Sequence, residues 1–220
     1  VVPANPCPDS ETHMFPFEVT FDGGARNIHP DVKVAGAGST LWEFPADGGP
    51  PILLASSTIA MPSSNNAQVA EASGCRAGLA ALVGVGGQAR AARIVGDNLA
   101  VVRYGAGTGR FRRLALQAQM EQALMPLAQR GWQLQWHAVR RRLNKAADRL
   151  ATLGVFWAEC LRRQGITDTR IYTVWHQAGS LPPPPMHFPA HDALSLMPAA
   201  VQAQADHLEE LAATDRRRRA

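Results

Sequence analysis

The sequence predicts an α/β fold in which three antiparallel strands are followed by helices that alternate with two further strands. Three strand-like runs stand close together near the start, long Ala- and Leu-rich stretches follow, and short strand-like runs separate those stretches. The chain has 220 residues, of which 46% are hydrophobic. That length allows one domain of roughly 150 residues with extensions.

The first three strands are expected between residues 17 and 60. Residues 17–21 alternate apolar and polar side chains, and the Asp22-Gly23-Gly24 that follows predicts the end of that strand. Two further strand-like runs, 34–44 and 52–60, are separated by a turn-forming segment rich in Pro and Gly. Because short links join all three, we expect an antiparallel meander.

Helices and two more strands alternate after the meander. The predicted helices are 66–83, 99–104, 111–130 and 144–163. Strand-like runs at 92–97 and 132–139 lie between them. The helix between the first and fourth strands is long enough for a crossover connection, so these two strands are expected to be parallel neighbours.

Composition predicts the domain boundaries. We expect an N-terminal arm over residues 1–15, a folded domain over 16–164, and a Pro-rich, mostly disordered tail over 165–220. No apolar run approaches the roughly 20 residues of a membrane span, and no signal-peptide pattern is seen. We therefore expect an intracellular protein, cytoplasmic or nuclear, with no membrane partner. The three cysteines are odd in number and far apart, which favours neither a disulfide framework nor a zinc site.

Charge is unevenly distributed along the chain. Residues 72–149 contain thirteen bases and three acids, a balance of +10, whereas the remainder carries −6 of the overall +4. A basic region of this kind is typical of proteins that bind polyanions. The competing interpretation is a coding bias that scatters Arg over any solvated surface. The excess of Arg over Lys, 20 to 2, favours this interpretation.

Four carboxylates are placed where they could meet. Asp22 and Asp97 each follow a predicted parallel strand, and the carboxyl ends of such strands share one edge of a sheet. Glu71 and Asp148 lie near the starts of two helices. Converging carboxylates need a cation, and all-oxygen ligands favour Mg²⁺ or Mn²⁺. Two such ions roughly 3.5–4 Å apart would activate water against a phosphodiester, so the sequence predicts phosphodiester hydrolysis.

Each of these residues alone has a simpler interpretation. Asp22-Gly23-Gly24 is an ordinary turn sequence, Glu71 a helix-start charge, and Asn144 with Asp148 a helix cap. Their joint order along the predicted elements favours the catalytic interpretation. His137 is expected to lie on the opposite face of the fifth strand from Trp136 and to have a structural role.

Four phrases resemble, in order, the acidic motifs of the type 1 ribonuclease H family. They are Phe21-Asp22-Gly23-Gly24-Ala25-Arg26, Val69-Ala70-Glu71-Ala72, Val95-Gly96-Asp97-Asn98 and Trp136-x-x-Val139-Arg140-x-x-x-Asn144-x-x-Ala147-Asp148-x-Leu150-Ala151. The resemblance covers about residues 17–155, and its last motif is the most specific. It implies a ribonuclease H-like fold with a five-stranded mixed sheet flanked by helices. It also implies two Mg²⁺ ions, for which Mn²⁺ can substitute, and cleavage of the RNA strand in RNA–DNA hybrids.

The resemblance also implies a role for each acid. Asp22 would bridge both metal ions, Glu71 and Asp97 would complete the shell of one ion, and Asp148 would bind the other. Backbone amides near Asp22 would sense the 2′-hydroxyl groups that distinguish RNA from DNA. The residues expected to bind the substrate are Gly23, Gly24, Asn66, Gln68, Asn98, Arg141 and Asn144.

Three features depart from the family pattern. Only four residues, 140–143, stand where many members carry a His-bearing loop, a shorter form similar to that of archaeal, plant and retroelement relatives. The pair Asn65-Asn66 stands two residues further from Glu71 than the family's Asn pair, which makes Gln68 an alternative contact. Leu99 stands where a Gln is frequent.

We therefore expect an endonuclease for RNA–DNA hybrids, the ribonuclease H module of a retroelement polyprotein that would also contain a reverse transcriptase. Two alternatives stay open: a nuclease of the same fold with another substrate, and a catalytically silent module that binds nucleic acid. Arg110, Arg112 and Arg113 either contact the DNA strand's backbone or form a solvated helix start. The oligomeric state is left open.

Overall fold

The computed structural model describes residues 15–64, 66–85, 90–167, 169 and 171–177. Its strands are β1 (Phe17–His29), β2 (Val32–Glu43), β3 (Ile52–Met61), β4 (Ala91–Gly96), β5 (Gln133–Ala138) and β6 (Tyr172–Gln177). Its helices are α1 (Ala67–Val83), α2 (Leu99–Gly105), α3 (Leu114–Gln129) and α4 (Lys145–Arg163), and a 3₁₀ turn spans Arg141–Leu143. No helix in these ranges is long and apolar enough to cross a membrane.

The strands form one mixed sheet in the order β5-β4-β1-β2-β3-β6. The meander β1-β2-β3 is antiparallel, and β4 and β5 add to it in parallel, as the sequence predicts. The order of elements and the flanking helices confirm the predicted fold class. The helices also agree with their predicted positions to within a few residues, α3 beginning at Leu114 and continuing through Pro126.

The predicted number of strands is one too low. The sixth strand pairs antiparallel with β3, from Ala60 opposite Tyr172 to Ala55 opposite Gln177. It lies in the stretch assigned to the tail, where the change of composition and the Pro-rich segment that follows outweighed the short strand-like run. The predicted domain boundaries stay a prediction, and residues 1–14 and 178–220 lie outside the described part of the chain.

Strand β1 does not end at Asp22, contrary to the sequence interpretation. It continues to His29, because Gly23 and Gly24 pair with Ala37 and Gly36 of β2. What ends near Asp22 is the parallel ladder with β4, whose last pair is Phe21 opposite Gly96. Asp22 and Asp97 are therefore each the first residue beyond that ladder. The sequence predicted that the two acids would share this edge, but on the assumption that β1 ends at Asp22.

Helices α1 and α4 pack on opposite faces of β1, β2 and β3. Alternate residues of β2 face them, Ala37 toward α1 and its neighbours Gly36 and Gly38 toward α4. A Cβ atom at Gly38 would lie 2.3 Å from the Leu150 Cβ, so the missing side chain is what lets α4 approach the sheet. Both helix starts are thereby brought against β1.

The main core lies between the sheet and helices α1 to α3. Its largest fully buried side chains include Phe21, Leu41, Leu79, Leu82, Ile94, Met120 and Leu127. Burying each such side chain contributes roughly 1.5–3 kcal/mol of favourable free energy. The core fixes the strand ends on which the acidic residues stand.

Candidate active site

Three carboxylates from three separate elements meet at one edge of the sheet. Asp22 of β1, Glu71 of α1 and Asp97, which directly follows β4, each offer an oxygen atom within 4.8 Å of the others. Asp22 is 2% exposed, Glu71 is 7% exposed, and Asp97 is half-buried. The structure thus brings together three of the four acids that the sequence singled out.

Close backbone packing places Glu71 beside Asp22. A Cβ atom at Gly23 would lie 2.2 Å from the Glu71 backbone nitrogen, so only glycine lets α1 lie this close to β1. Asp97 is held from the other side, because Asn98 begins α2 and its side-chain oxygen accepts hydrogen bonds from the amides of Ala100 (3.1 Å) and Val101 (3.2 Å).

Two of these carboxyl groups have raised pKa values. Burial, followed by the charges of Asp97 and Asp148, raises the pKa of Asp22 to about 7, against a hydrogen bond from the Gly23 amide (2.8 Å) that lowers it. Burial, followed by the charges of Asp22 and Asp97, raises the pKa of Glu71 to about 9. If all of these carboxyl groups were ionised, their negative charge would exceed what the neighbouring groups neutralise.

The same three residues each have a buried oxygen without a hydrogen-bond partner among the described residues. These atoms are Asp22 Oδ2, Glu71 Oε2 and Asp97 Oδ1. Buried carboxylate oxygens of this kind are costly unless a cation or a donor satisfies them. A donor set of carboxylates alone suits a hard divalent cation such as Mg²⁺ or Mn²⁺, so the residues present fit the metal that the sequence predicts.

Asp148 is not one of the three grouped acids, although it lies close enough to Asp22 for its charge and a side-chain hydrogen bond to raise the Asp22 pKa. It lies in the first turn of α4, and its Oδ1 accepts a hydrogen bond from Arg141 Nε (2.7 Å) and forms an ion pair with Nη2 (2.5 Å). The hydrogen bond to Asp148 raises the pKa of Arg141. The sequence predicted Arg141 as a substrate contact, and no signal in its spacing indicated that it would pair with the fourth acid.

Asn144 is not a side-chain cap, contrary to that interpretation of the sequence. Its side chain makes no capping hydrogen bond to α4. Instead Asn144 Nδ2 donates to the Phe21 carbonyl oxygen (2.7 Å), and the residue is only 2% exposed. The alternative role as a substrate contact stays a prediction, and burial leaves little of the side chain accessible to a polymer.

The other predicted substrate residues lie on or next to the elements that carry the three acids, and most have a local partner. Asn66 accepts a hydrogen bond from the Val69 amide (3.2 Å) and begins α1, with half-buried Gln68 in its first turn. Asn98 begins α2 as described above, and the Gly23 amide donates to Asp22. Gly24 is half-buried within β1, and Asn65 lies outside the described residues. Their contacts with a substrate stay predictions.

Two groups of arginines are exposed. Arg110, Arg112 and Arg113 flank Phe111, which is buried and stacks on Tyr104 with ring centroids 4.5 Å apart. The run 140–142 is exposed beside α4. His137 is half-buried, while Trp136 packs against Gly105 within the main core. Both arginine groups are accessible to a polyanion.

Comparison with protein families and curated proteins gives one match. A family model described as reverse transcriptase-like matches residues 51–154. That range contains Glu71, Asp97 and Asp148, and Asp22 precedes it. A search of curated proteins finds no match.

Several solved structures share the fold. The N-terminal ribonuclease H domain of Rv2228c from Mycobacterium tuberculosis is 27% identical with a TM-score of 0.54, over 66% of this chain and 98% of that one. Ribonuclease H1 of Halobacterium salinarum is 23% identical with a TM-score of 0.50, over 63% and 96%. The foamy viral protease-reverse transcriptase, solved with an RNA/DNA hybrid, is 15% identical with a TM-score of 0.51, over 71% and 22%. The last two show similarity of fold alone.

Proposed function

We propose that the chain, as a member of the type 1 ribonuclease H family, hydrolyses the RNA strand of RNA–DNA hybrids as a metal-dependent endonuclease. The observation that carries the proposal is the group of Asp22, Glu71 and Asp97, with ligand oxygens within 4.8 Å of one another and an unpartnered buried oxygen on each residue. The foamy viral structure, which has the same fold and contains an RNA/DNA hybrid, supports the choice of substrate.

We propose that the site holds two Mg²⁺ ions, for which Mn²⁺ can substitute. Asp22, Glu71, Asp97 and Asp148 would hold them, and the ions would supply an activated water and neutralise charge on the phosphodiester. Asp22 is central because its Oδ1 accepts a hydrogen bond from the Gly23 amide, while its Oδ2 has no hydrogen-bond partner among the described residues. Asp148 lies to one side, on α4, and would serve the second ion.

Arg141 has two tasks in this proposal. It neutralises Asp148 through Nε and Nη2. Its side chain is 70% exposed, so its remaining donors are accessible to a phosphate of the substrate. Binding of the hybrid would therefore draw the guanidinium toward the phosphate and release Asp148 for the cation.

Exposed arginines and a glycine-lined strand would bind the rest of the hybrid. The arginines at 110, 112, 113 and 140–142 would contact backbone phosphates, which predicts a salt-dependent affinity. Gly23 and Gly24 leave the backbone of β1 without side chains next to Asp22, where it can approach the 2′-hydroxyl groups of RNA.

The description of the matching family, reverse transcriptase-like, supports a further part of the proposal. We propose that the chain acts as the ribonuclease H module associated with a reverse transcriptase in a retroelement. The foamy viral neighbour is a protease-reverse transcriptase, and 22% of its chain matches the fold of this one.

A second candidate is a catalytically silent module that binds the hybrid without cleaving it. One observation favours it: Asp148 is paired with Arg141 and stands outside the group formed by the other three acids. The pairing would then be permanent.

A substrate panel separates these candidates. Hybrids labelled on either strand, duplex RNA and duplex DNA are incubated with the protein and Mg²⁺, and products are resolved by length. We expect internal cleavage of the RNA strand of the hybrid alone, and loss of cleavage in Asp22→Asn with hybrid binding retained. Binding of the hybrid without cleavage would establish the silent module, and cleavage of another substrate would establish a different nuclease.

A further inference from the structure

Asn144 connects the backbones next to two of the four acids. It stands between the 3₁₀ turn and α4, and its side-chain Nδ2 donates to the carbonyl oxygen of Phe21 (2.7 Å), 123 residues away in sequence. Its own carbonyl oxygen accepts the amide hydrogen of Asp148 (3.0 Å). Phe21 directly precedes Asp22. One buried residue therefore contacts both the peptide before Asp22 and the backbone of Asp148.

The local structure of α4 does not account for this side chain. An Asn before a helix usually accepts a hydrogen bond from an amide of the first turn, yet Asn144 makes no such bond. Its Oδ1 is buried with no hydrogen-bond partner among the described residues. A half-satisfied buried amide is unfavourable for stability, so the bond to Phe21 needs a different reason.

The position of Phe21 supplies that reason. The parallel ladder between β1 and β4 has its last pair at Phe21 and Gly96, and the chain then departs toward Asp97. Asn144 supplies a donor to β1 where this ladder ends, and it does so from the element that carries Asp148. One hydrogen bond therefore joins β1 to the start of α4 beside the acidic cluster, in addition to the packing of α4 on the sheet.

We infer that Asn144 is a positioning residue, which holds the Asp22 and Asp148 carboxylates at the separation needed to share the cations of the site. The inference rests on the proposed function, in which these acids bind metal for cleavage. Partners outside the coordination shell typically change metal affinity or activity about 10- to 100-fold when they are removed. A displacement of about 1 Å at a catalytic group can cost about 100-fold in rate.

Two variants and one matched control test the inference in the 220-residue chain. Asn144→Ala removes the donor and leaves a gap, whereas Asn144→Leu removes the donor and fills most of the space. The control, Ser57→Ala, removes a different buried hydrogen bond, between the Ser57 and Ser39 hydroxyls (2.8 Å), on a strand separated from β1 by β2. Thermal unfolding and Mn²⁺ binding by calorimetry are measured without substrate, and kcat and KM are measured on the hybrid.

We expect both Asn144 variants to bind Mn²⁺ about 10- to 100-fold more weakly and to lose kcat by a similar factor, with KM for the hybrid changed less than about twofold. Ser57→Ala should be destabilised but should bind Mn²⁺ as the wild type does. Wild-type Mn²⁺ affinity in Asn144→Leu, or a rise in KM with unchanged kcat, would overturn the inference. If the wild-type protein fails to cleave the hybrid while the Asn144 variants still lose Mn²⁺ affinity, the proposed function fails and the positioning role stands.

Discussion

Glu71→Gln is expected to stabilise the protein in the absence of metal, because the surroundings of Glu71 disfavour its ionised form. Burial and the neighbouring Asp22 and Asp97 raise the pKa of Glu71 from its ordinary 4.5 to about 9. At pH 7.5 the folded protein must therefore keep a proton that the unfolded chain releases. Glutamine has nearly the same shape as protonated glutamate and needs no proton.

The size of the effect follows from the pH. Each pH unit above the ordinary pKa costs the folded state about 1.4 kcal/mol, which gives about 4 kcal/mol at pH 7.5 as an upper value. Charge shared with Asp22 and solvent access to the site reduce the expected gain to about 2 kcal/mol. For a domain of this size, that gain corresponds to roughly 4–8 °C in Tm.

The stability gained by Glu71→Gln must also increase as the pH rises. Between pH 4.5 and about 9 the folded protein binds a proton that the unfolded chain does not, so wild-type stability falls as pH rises through this window. The advantage of Glu71→Gln should accordingly be larger at pH 8 than at pH 5.5.

Urea unfolding in EDTA at these two pH values measures the effect. Glu121→Gln, at an exposed position of α3, is the matched control and should change little at either pH. Equal stability of Glu71→Gln and wild type at pH 8, or a gain that does not vary with pH, would refute the argument. Saturating Mn²⁺ should reverse the order, because only the wild type retains the carboxylate that we propose as a ligand of the ion.

Three further predictions test other parts of the structure. Gly38→Ala should lower the free energy of unfolding in urea by about 3 kcal/mol, because its Cβ would lie 2.3 Å from that of Leu150. Gly24→Ala, whose Cβ would have its nearest atom at 3.9 Å, should lower it much less. Equal losses would contradict the packing of α4. Arg141→Gln should weaken hybrid binding and reduce the slope of log affinity against log salt by about 1, and an unchanged slope would place Arg141 away from the substrate. A chain ending at residue 164 lacks β6 and should have a lower Tm than one ending at residue 177, and equal Tm values would show that β6 contributes nothing to the domain.

Much of the site could be predicted because its signals are local. Alternating apolar and polar residues followed by an acid, as at Asp97, indicate the end of a strand. The order of helices and strands then indicates which strands end at the same edge of the sheet. Glu71 could be placed because a capping residue, Asn66, begins its helix. None of these inferences needs contacts between distant parts of the chain.

The errors arise where a distant contact decides the structure. Asp22-Gly23-Gly24 has the composition of a turn, yet pairing with β2 keeps these residues in the strand, since hydrogen bonds across the ladder outweigh the local preference. Asn144 has the composition of a cap, and its partner Phe21 is 123 residues away. Side-chain partners at that distance leave no trace in local spacing, which is why the support around the acids could not be predicted.

The most direct test of the central claim is an anomalous-difference map from Mn²⁺-soaked crystals grown with a bound RNA–DNA hybrid. The claim is that Asp22, Glu71, Asp97 and Asp148 together hold two catalytic ions. We expect one Mn²⁺ among Asp22, Glu71 and Asp97 and a second between Asp22 and Asp148, with Arg141 turned from Asp148 toward a phosphate. A map without Mn²⁺ among the three grouped acids, or with Asp148 still paired to Arg141 and a single ion bound, would contradict it.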